Sequence, residues 1–573
     1  MAIIGIDLGT TNSLVSVYRN GHAELLPNEW GEFMTPSCVG VLEDGTVTVG
    51  AVAKERLITH PEETAASFKT WMGTQKEYIL GGRRFLPQEL SALVLRKLAQ
   101  NAREALGEEI EEAIISVPAY FNDNQRCATR LAAQLAGLPV RRLINEPSAA
   151  ALYYSQSRAQ SECRLLVIDF GGGTLDVSVV DCFENMVEIV AIAGNNHLGG
   201  NDIDQAIAGY FCSQTGLVWS TLGPQQQRQL LALAERGKIA LSSTGDRGCM
   251  LACEIGPELY SVPLDSHILS EICQPVFQKV REVIVRAVRD SEIPISAIQD
   301  VVLVGGSSQL GVFVDYLEEL FSRRPTLAEH PEHTVALGVG MYAGIKQRDE
   351  DLREIVMTDV CPFSLGVASY NDLQDLNPHM ATLIQRSSIL PARRTERFYT
   401  LSPNQRRIRL EIYQGENYYA SENLRLGELT VSVPPDEPGK QFASVTFAYD
   451  INGILEVTAQ SSGGDIRRTV ILNPQLNWSE EEIRQALERL NALPDPARSE
   501  EEDLWLLSRA ERLFAELSDS LRAEAAAIIR SLQEAMQSGS PTRLARERER
   551  QREHLEELER WAQRDIWDDF DGQ

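Results

Sequence analysis

The chain has 573 residues, 43% hydrophobic and 24% charged. This is an ordinary globular balance which, at roughly 150 residues per domain, allows three to four domains and leaves no need for a disordered reading. Its formal net charge of -28 repels nucleic acid and anionic membranes and excludes both as partners unless a strong local basic patch exists. Nine scattered cysteines without a C-x-x-C pair fit free thiols in a reducing compartment; Cys249 and Cys253, the one close pair, have no further ligand nearby and read as packed side chains. No apolar run approaches the ~18 residues of a membrane span. The start, Met1–Asp7, lacks a basic region and carries Asp7 within its apolar run, so it does not read as a secretory signal. A cytoplasmic protein is expected.

Up to about residue 350, short β-rich runs (Ile3–Ile6, Ala113–Val117, Leu165–Ile168, Val301–Val304) alternate with helical stretches such as Pro87–Leu106 and Gln125–Ala136, which predicts an α/β architecture. The charge run Arg348–Glu354 then leads into Ile355-Val356-Met357-Thr358-Asp359. This segment is either a helix end followed by a strand or an interdomain linker with an apolar centre. Residues 360 to about 472 follow a period of two. Val445–Tyr449 and Ile454–Thr458 flank Asp450-Ile451-Asn452-Gly453, which predicts a hairpin, and the region reads as a compact β-sandwich. From Asn477 onward helix formers dominate. Ser479 with Glu482 makes a capping box, and breaks at Pro494–Pro496 and Gly539–Pro541 predict a small helical bundle ending in an acidic tail, Asp568–Asp571.

The strongest motif is a pair of related turns far apart in sequence: Ile6-Asp7-Leu8-Gly9-Thr10-Thr11-Asn12-Ser13 and Ile168-Asp169-Phe170-Gly171-Gly172-Gly173-Thr174-Leu175-Asp176. Each follows an apolar strand and ends that strand on an aspartate. Glycines let backbone N–H groups approach phosphate oxygens, threonine hydroxyls add hydrogen bonds, and carboxylates at strand ends hold Mg²⁺ through its waters. One such turn is weak evidence; two, each behind a strand, imply a duplicated fold with nucleotide clamped between the halves. A third turn, Gly305-Gly306-Ser307-Ser308-Gln309, again follows a β run. In Glu235–Ser242, the side chains of Glu235, Lys238 and Ser242 share a helix face, which alone would be a solvated surface and beside these turns can hold a nucleoside.

With further matches at Ile115–Asn122, Leu143–Ala151 and His197–Asp202, the chain resembles the heat-shock protein 70 (DnaK-type) chaperone family over nearly its whole length. The wording Leu26-Pro27-Asn28 and Gly31-Glu32-Phe33 is similar to its specialised bacterial HscC-like branch. The resemblance implies an actin-like (ribonuclease H-like, duplicated) ATPase domain over 1–352, a linker over 353–359, a β-sandwich peptide-binding domain over 360–475 and an α-helical lid over 476–573. It implies a slow, ATP-dependent chaperone gripping extended hydrophobic segments of unfolded clients, with ATP/ADP, Mg²⁺ and K⁺ as cofactors and a J-domain protein and a nucleotide exchange factor as partners. Carried over by motif, Asp7 and Asp169 organise Mg²⁺, Thr174 and Asp176 hold K⁺ or the attacking water, and Lys69 contacts the γ-phosphate. Pro118, Arg126 and Glu146 relay nucleotide state to the linker. Gly9, Thr10, Thr11, Asn12, Gly171, Gly172, Gly173, Gly199, Gly200, Glu235, Lys238, Ser242, Gly305, Gly306, Ser307, Gln309 and Glu332 bind the nucleotide. Val367, Tyr370, Phe398, Leu401, Ile408 and Leu410 match the peptide cleft, where Tyr370 and Leu401 correspond to the pair arching over the peptide; sandwich core is the alternative for each.

Three positions depart from the family pattern. Asn201 replaces a usual Glu at the ribose, Gln309 a usual Arg over adenine beside the apolar Ile239, and Thr358 a usual Leu in the linker. These predict weaker nucleotide binding and looser linker docking. Arg386, Arg393, Arg394, Arg397, Arg406, Arg407 and Arg409 form a basic group on an acidic chain, readable as a solvated face or as a rim favouring acidic client flanks. The rival functions are an exchange factor of the same fold with poor hydrolysis, a metabolite kinase, and an actin-like filament protein. The two C-terminal domains disfavour the last two.

Overall fold

In a computed structural model of the chain, all residues are described except 158–161, 184–185, 245–247, 257, 349–351, 353–354, 371–376, 471–477, 518 and 569–573. Most of the charge run, Asn477 and most of the acidic tail therefore lie outside the described residues.

Residues 1 to about 348 form two halves built on one plan. In the first sheet Ala2–Asp7 runs parallel to Ile110–Val117, itself parallel to Val140–Asn145, and antiparallel to Asn12–Arg19, which pairs with His22–Leu26. In the second, Glu162–Phe170 runs parallel to Asp300–Val304 and antiparallel to Leu175–Phe183, which pairs with Met186–Asn195. The central strands bury both faces, which is why they read as continuous apolar runs rather than alternating ones. Nine helices of this region carry labels: α1 Ala51–Thr59, α2 Pro87–Leu106, α3 Asp123–Leu135, α4 Glu146–Ser157, α5 Gly200–Thr215, α6 Pro224–Thr244, α7 Ser266–Ser291, α8 Gly311–Phe321 and α9 Thr334–Gln347. Helices α4 and α9 pack together between the sheets, and their side chains (Ala149, Leu152, Val339, Ala343) share one core with strands of both halves.

The segment Val356–Thr358 is a sixth, edge strand of the second sheet, parallel to Met186–Glu188. Ile355 and Leu352 are buried in the core shared by the two halves. Thr358 Oγ1 is buried without a hydrogen-bond partner among the described residues.

Two four-stranded antiparallel sheets follow: His379–Ile384, Leu365–Ser369, Arg407–Gln414, Leu424–Ser432 and Ala392–Tyr399, Phe442–Tyr449, Leu455–Ser461, Ile466–Val470. They enclose an apolar core centred on Val445, Phe447, Val457 and Ile412. The predicted hairpin is present. Its turn is closed by Gly453 N–H to Asp450 O at 3.0 Å and by the Asp450 carboxylate accepting from Asn452 and Ile454 N–H, both at 2.8 Å. That turn reaches the first half: Arg142 donates to Ile451 O at 2.6 Å and Arg130 to Asn452 O at 3.2 Å.

Four more helices close the chain: α10 Glu480–Asn491, α11 Arg498–Glu516, α12 Asp519–Gln537 and α13 Pro541–Asp568. Ser479 caps α10 with Glu482 as predicted. A third break, after Glu516, goes beyond the two predicted. It carries neither Pro nor Gly, and α12 turns back there so that Leu506, Leu513, Ile528, Leu532, Leu555 and Leu558 can share one core. The lid lies against the first half: α10 buries Ala486 and Leu490 in the core of the first sheet, and Trp505 stacks on Trp30 at 4.9 Å.

A buried hydroxyl left unpaired costs about 1–3 kcal/mol. Thr358→Val is therefore expected to strengthen docking of the linker strand. Hydrogen exchange at amides 355–359 should slow by about tenfold, and unchanged exchange would show that the hydroxyl is satisfied by water.

Candidate functional site

The carboxyl ends of the two sheets face each other across a cleft of about 390 Å³. Asp7 and Asp169 stand at equivalent strand ends because the two halves repeat one topology. Gly9 N–H is held by Ser13 Oγ at 3.2 Å, and Gly171 N–H by Thr174 O at 3.1 Å. The loops nearly touch: a Cβ on Gly172 would lie 1.9 Å from Thr11 Oγ1. Gly305, at φ +83°, brings the third turn so close that a Cβ would lie 2.6 Å from Asp169 Oδ1. Ser307 Oγ donates to Gly171 O at 2.8 Å, joining the second and third turns. Thr10 Oγ1 and Thr11 Oγ1 are buried with no partner among the described residues, so the cleft holds two hydroxyls that lack an acceptor.

Lys69 enters from the 3-10 turn Phe68–Trp71 and donates to Glu146 Oε1 at 2.7 Å, both side chains less than a tenth exposed. Around this single ammonium stand Asp7, Glu146, Asp169 and Asp176. Burial is the largest influence on each of them: it raises Asp7, Asp169 well above the ordinary range, Glu146 to about 7 and Asp176 to about 6, with Lys69 opposing in every case. Ser116 Oγ donates to Asp7 at 2.6 Å, and Tyr120 N–H to Asp176 at 3.1 Å. The cluster thus combines two hydroxyls without a partner among the described residues and an ammonium for anions with an excess of carboxylates for a cation. Among the described residues no three His, Cys, Asp or Glu side chains form a direct metal cage. That donor set fits a hydrated cation completed by phosphate, such as Mg²⁺, rather than an ion held by protein alone.

At the far end α6 lines the cleft with Glu235, Lys238, Ile239 and Ser242. Lys238 Nζ pairs with Asp204 at 2.6 Å and donates to Gly200 O at 3.2 Å. Asp204 was missed in the sequence; it lies one helical turn after Gly200 on α5 and faces the same side, a spacing that could have revealed it. Gly199 and Gly200 open α5, with Gly199 N–H bonded to Asp202 at 2.8 Å. Asn12, Gly173, Gly306 and Glu332 also come to the cleft or its loops. The departures have partners of their own: Asn201 donates to Ser67 Oγ across the cleft at 3.1 Å, and Gln309 to Glu332 at 2.9 Å. Ile239 is more than half exposed.

Behind the cleft, Pro118 follows the strand Ile110–Val117 and accepts from Phe121 N–H at 3.1 Å. Arg126 is buried and donates to Ala119 O, Phe121 O and, at 2.6 Å, Asn145 Oδ1. Asn145 in turn donates to Asp359 at 2.6 Å, and Ser148 donates to the same carboxylate at 3.1 Å. Burial raises Asp359, opposed by the Val360 N–H bond, the Arg126 charge and the Ser148 bond. The residue after Asn145 is Glu146, so one peptide unit separates the cleft from the linker.

In the sandwich, Val367, Ile408 and Leu410 are buried in the core and Phe398 is half-buried against it. Tyr370 and Leu401 are exposed, with Tyr370 OH donating to Glu411 at 3.3 Å. The basic group is partly neutralised: Arg386 pairs with Asp290 at 2.7 Å, and Arg409 with Glu411 and Glu428 at 2.8 and 2.7 Å. Arg393, Arg394 and Arg397 stay exposed on the edge strand Ala392–Tyr399.

Fold and cleft define a two-lobed phosphate-binding ATPase joined to a β-sandwich and a helical lid. A family model described as "Hsp70 protein" matches residues 3–80 and 75–566. Curated relatives called "Chaperone protein DnaK" from Thermotoga neapolitana, Thermotoga petrophila and Thermotoga maritima are each 34% identical over 533 residues, covering 91% of this chain and 88% of theirs. The chain belongs to the Hsp70 family, whose members are ATP-dependent chaperones that bind client polypeptides and hydrolyse ATP. No described helix is long and apolar enough to cross a membrane.

The raised carboxyls give the nucleotide-free protein a pH signature. Glu146 and Asp176 lie above their ordinary 4.5 and 3.8, so they favour the fold at low pH and lose that contribution as pH rises through about 6 to 7. The thermal midpoint is expected to fall between pH 5 and 8, and Asp176→Asn should flatten the profile; a midpoint independent of pH would contradict the cluster's electrostatics.

Proposed function

We propose that this chain couples ATP hydrolysis in the cleft to grip and release of extended hydrophobic client segments in the β-sandwich, with residues 355–359 carrying the signal. The observation that carries the proposal is the Asn145 side chain, bonded at once to Arg126 and to linker Asp359, with Glu146 next to it bonded to Lys69. A change at the phosphates that pulls on Lys69 shifts Glu146 at the first turn of α4, and with it Asn145 and the linker carboxylate.

In this reading Lys69 meets the γ-phosphate, the glycine turns and the Thr10 and Thr11 hydroxyls seat the phosphate chain, and Lys238, Glu235 and Ser242 take the nucleoside. Phosphoryl transfer leaves little covalent work to the protein, so these residues act by positioning and charge. Asp7 and Asp169 would hold Mg²⁺ through water, and Thr174 with Asp176 would hold K⁺ or orient the attacking water. The cations would supply neutralisation of phosphate charge that four carboxylates and one lysine do not. Pro118 and Arg126 act with Glu146 as the relay. Tyr370 and Leu401 border the client site, backed by Phe398, Val367, Ile408 and Leu410. A J-domain protein and a nucleotide exchange factor are the proposed partners, the cytoplasm the proposed place, and the exposed Arg393, Arg394 and Arg397 a preference for acidic client flanks.

Single-turnover hydrolysis with a panel of extended hydrophobic peptides tests the coupling. Peptides should accelerate hydrolysis, Asn145→Ala should abolish the acceleration, and Lys69→Ala should lower the rate itself by about 10²-fold or more. Hydrolysis indifferent to every peptide would separate the ATPase from the sandwich, and no hydrolysis at all would favour the exchange-factor rival.

A further inference from the structure

Helix α6 has two employments. Glu235 and Lys238 line the nucleotide cleft, whereas Arg236 and Gln229 reach the lid. Gln229 Nε2 donates to Ala515 O at 3.1 Å, and Arg236 donates to Glu516 at 2.6 Å. The Glu516 side chain is only 3% exposed and also accepts from Arg512 at 2.8 Å. Arg512 in turn pairs with Glu55 on α1, which belongs to the opposite half. Arg236, Glu516, Arg512 and Glu55 therefore form one line of alternating charges that starts on the second half, passes through the lid and ends on the first. A further pair, Arg522 with Glu254 at 2.8 Å, holds α12 to the second half.

The nucleotide site lies between those same halves, with Thr10, Thr11 and Lys69 on one wall and Gly172, Gly200 and Lys238 on the other. Nucleotide gripped by both walls leaves more readily when they separate. A lid bonded to one wall would ride along with it; a lid bonded to both resists the separation. Largely buried charges make the resistance sharp, because parting them strands each ion without its partner in a poorly solvated place.

We propose that the lid bundle, docked as here against the nucleotide-binding halves, straps them together and retards nucleotide release. Once the lid leaves, the cleft is free to open. By linkage, nucleotide that keeps the halves closed also holds the lid in place. The inference rests on nucleotide occupying this cleft.

The test is displacement of a fluorescent ATP analogue from the full-length protein by excess unlabelled ATP, followed in a stopped-flow instrument. Glu516→Ala and Arg512→Met, which cut the line at different points, should each release the analogue about tenfold faster than the unmodified chain. Glu501→Ala, which removes a lid contact to Lys97 of the first half alone, should change release by less than about twofold. Release from both line variants at the unmodified rate would overturn the strap, and so would acceleration by Glu501→Ala equal to theirs, since general loosening of the lid would then suffice. Failure of the unmodified chain to bind the analogue would instead remove the nucleotide reading and the strap with it. The two variants lie on the lid, so loss of folding in one leaves the other to decide.

Discussion

One buried lysine among four carboxylates is the constraint on which the rest of this molecule depends. Lys69 is bonded to Glu146 and opposes the burial that raises Asp7, Asp169 and Asp176. Such a cluster is poor at stabilising an empty fold and well suited to a ligand that carries both signs, a polyphosphate with its cation. The unpaired hydroxyls of Thr10 and Thr11 point to the same conclusion, since a buried donor is retained where something else completes it.

From that cluster the molecule is built outward in polar steps. Glu146 opens α4, Asn145 precedes it, and Asp359 follows the linker strand that completes the second sheet. The sandwich then rests on the first half through a hairpin turn contacted by Arg130 and Arg142. Within each part the contacts are broad and apolar; between parts they are hydrogen bonds, ion pairs and small apolar faces. Contacts of the second kind can be broken and remade without unfolding either side, which a nucleotide-driven cycle requires.

Much of this was legible in the residues. Two strand–aspartate–glycine–threonine turns implied a repeated half and a phosphate site, and both sheets have the same strand plan. The Asn-Gly turn and the Ser479–Glu482 capping box are local devices, decided within a few residues, and stand where they were expected. The break after α11 was not legible: it has no proline or glycine and exists because α12 must fold back to bury its own apolar side. Asp204 escaped notice because a single carboxylate on a helix reads as solvated until its neighbour Lys238 is placed beside it.

By itself the sequence determined the chemical groups that line the cleft, where strands give way to helices, and the family to which the chain belongs. These follow from spacing within short windows, because backbone geometry ties neighbours in sequence to fixed relative positions. Only the tertiary structure decided how the parts rest on one another: linker Asp359 against Asn145, the lid across α1 and α6, and which arginines on the sandwich meet a carboxylate. Those pairings join residues as many as several hundred positions apart, and no local spacing encodes which distant carboxylate a given arginine will meet.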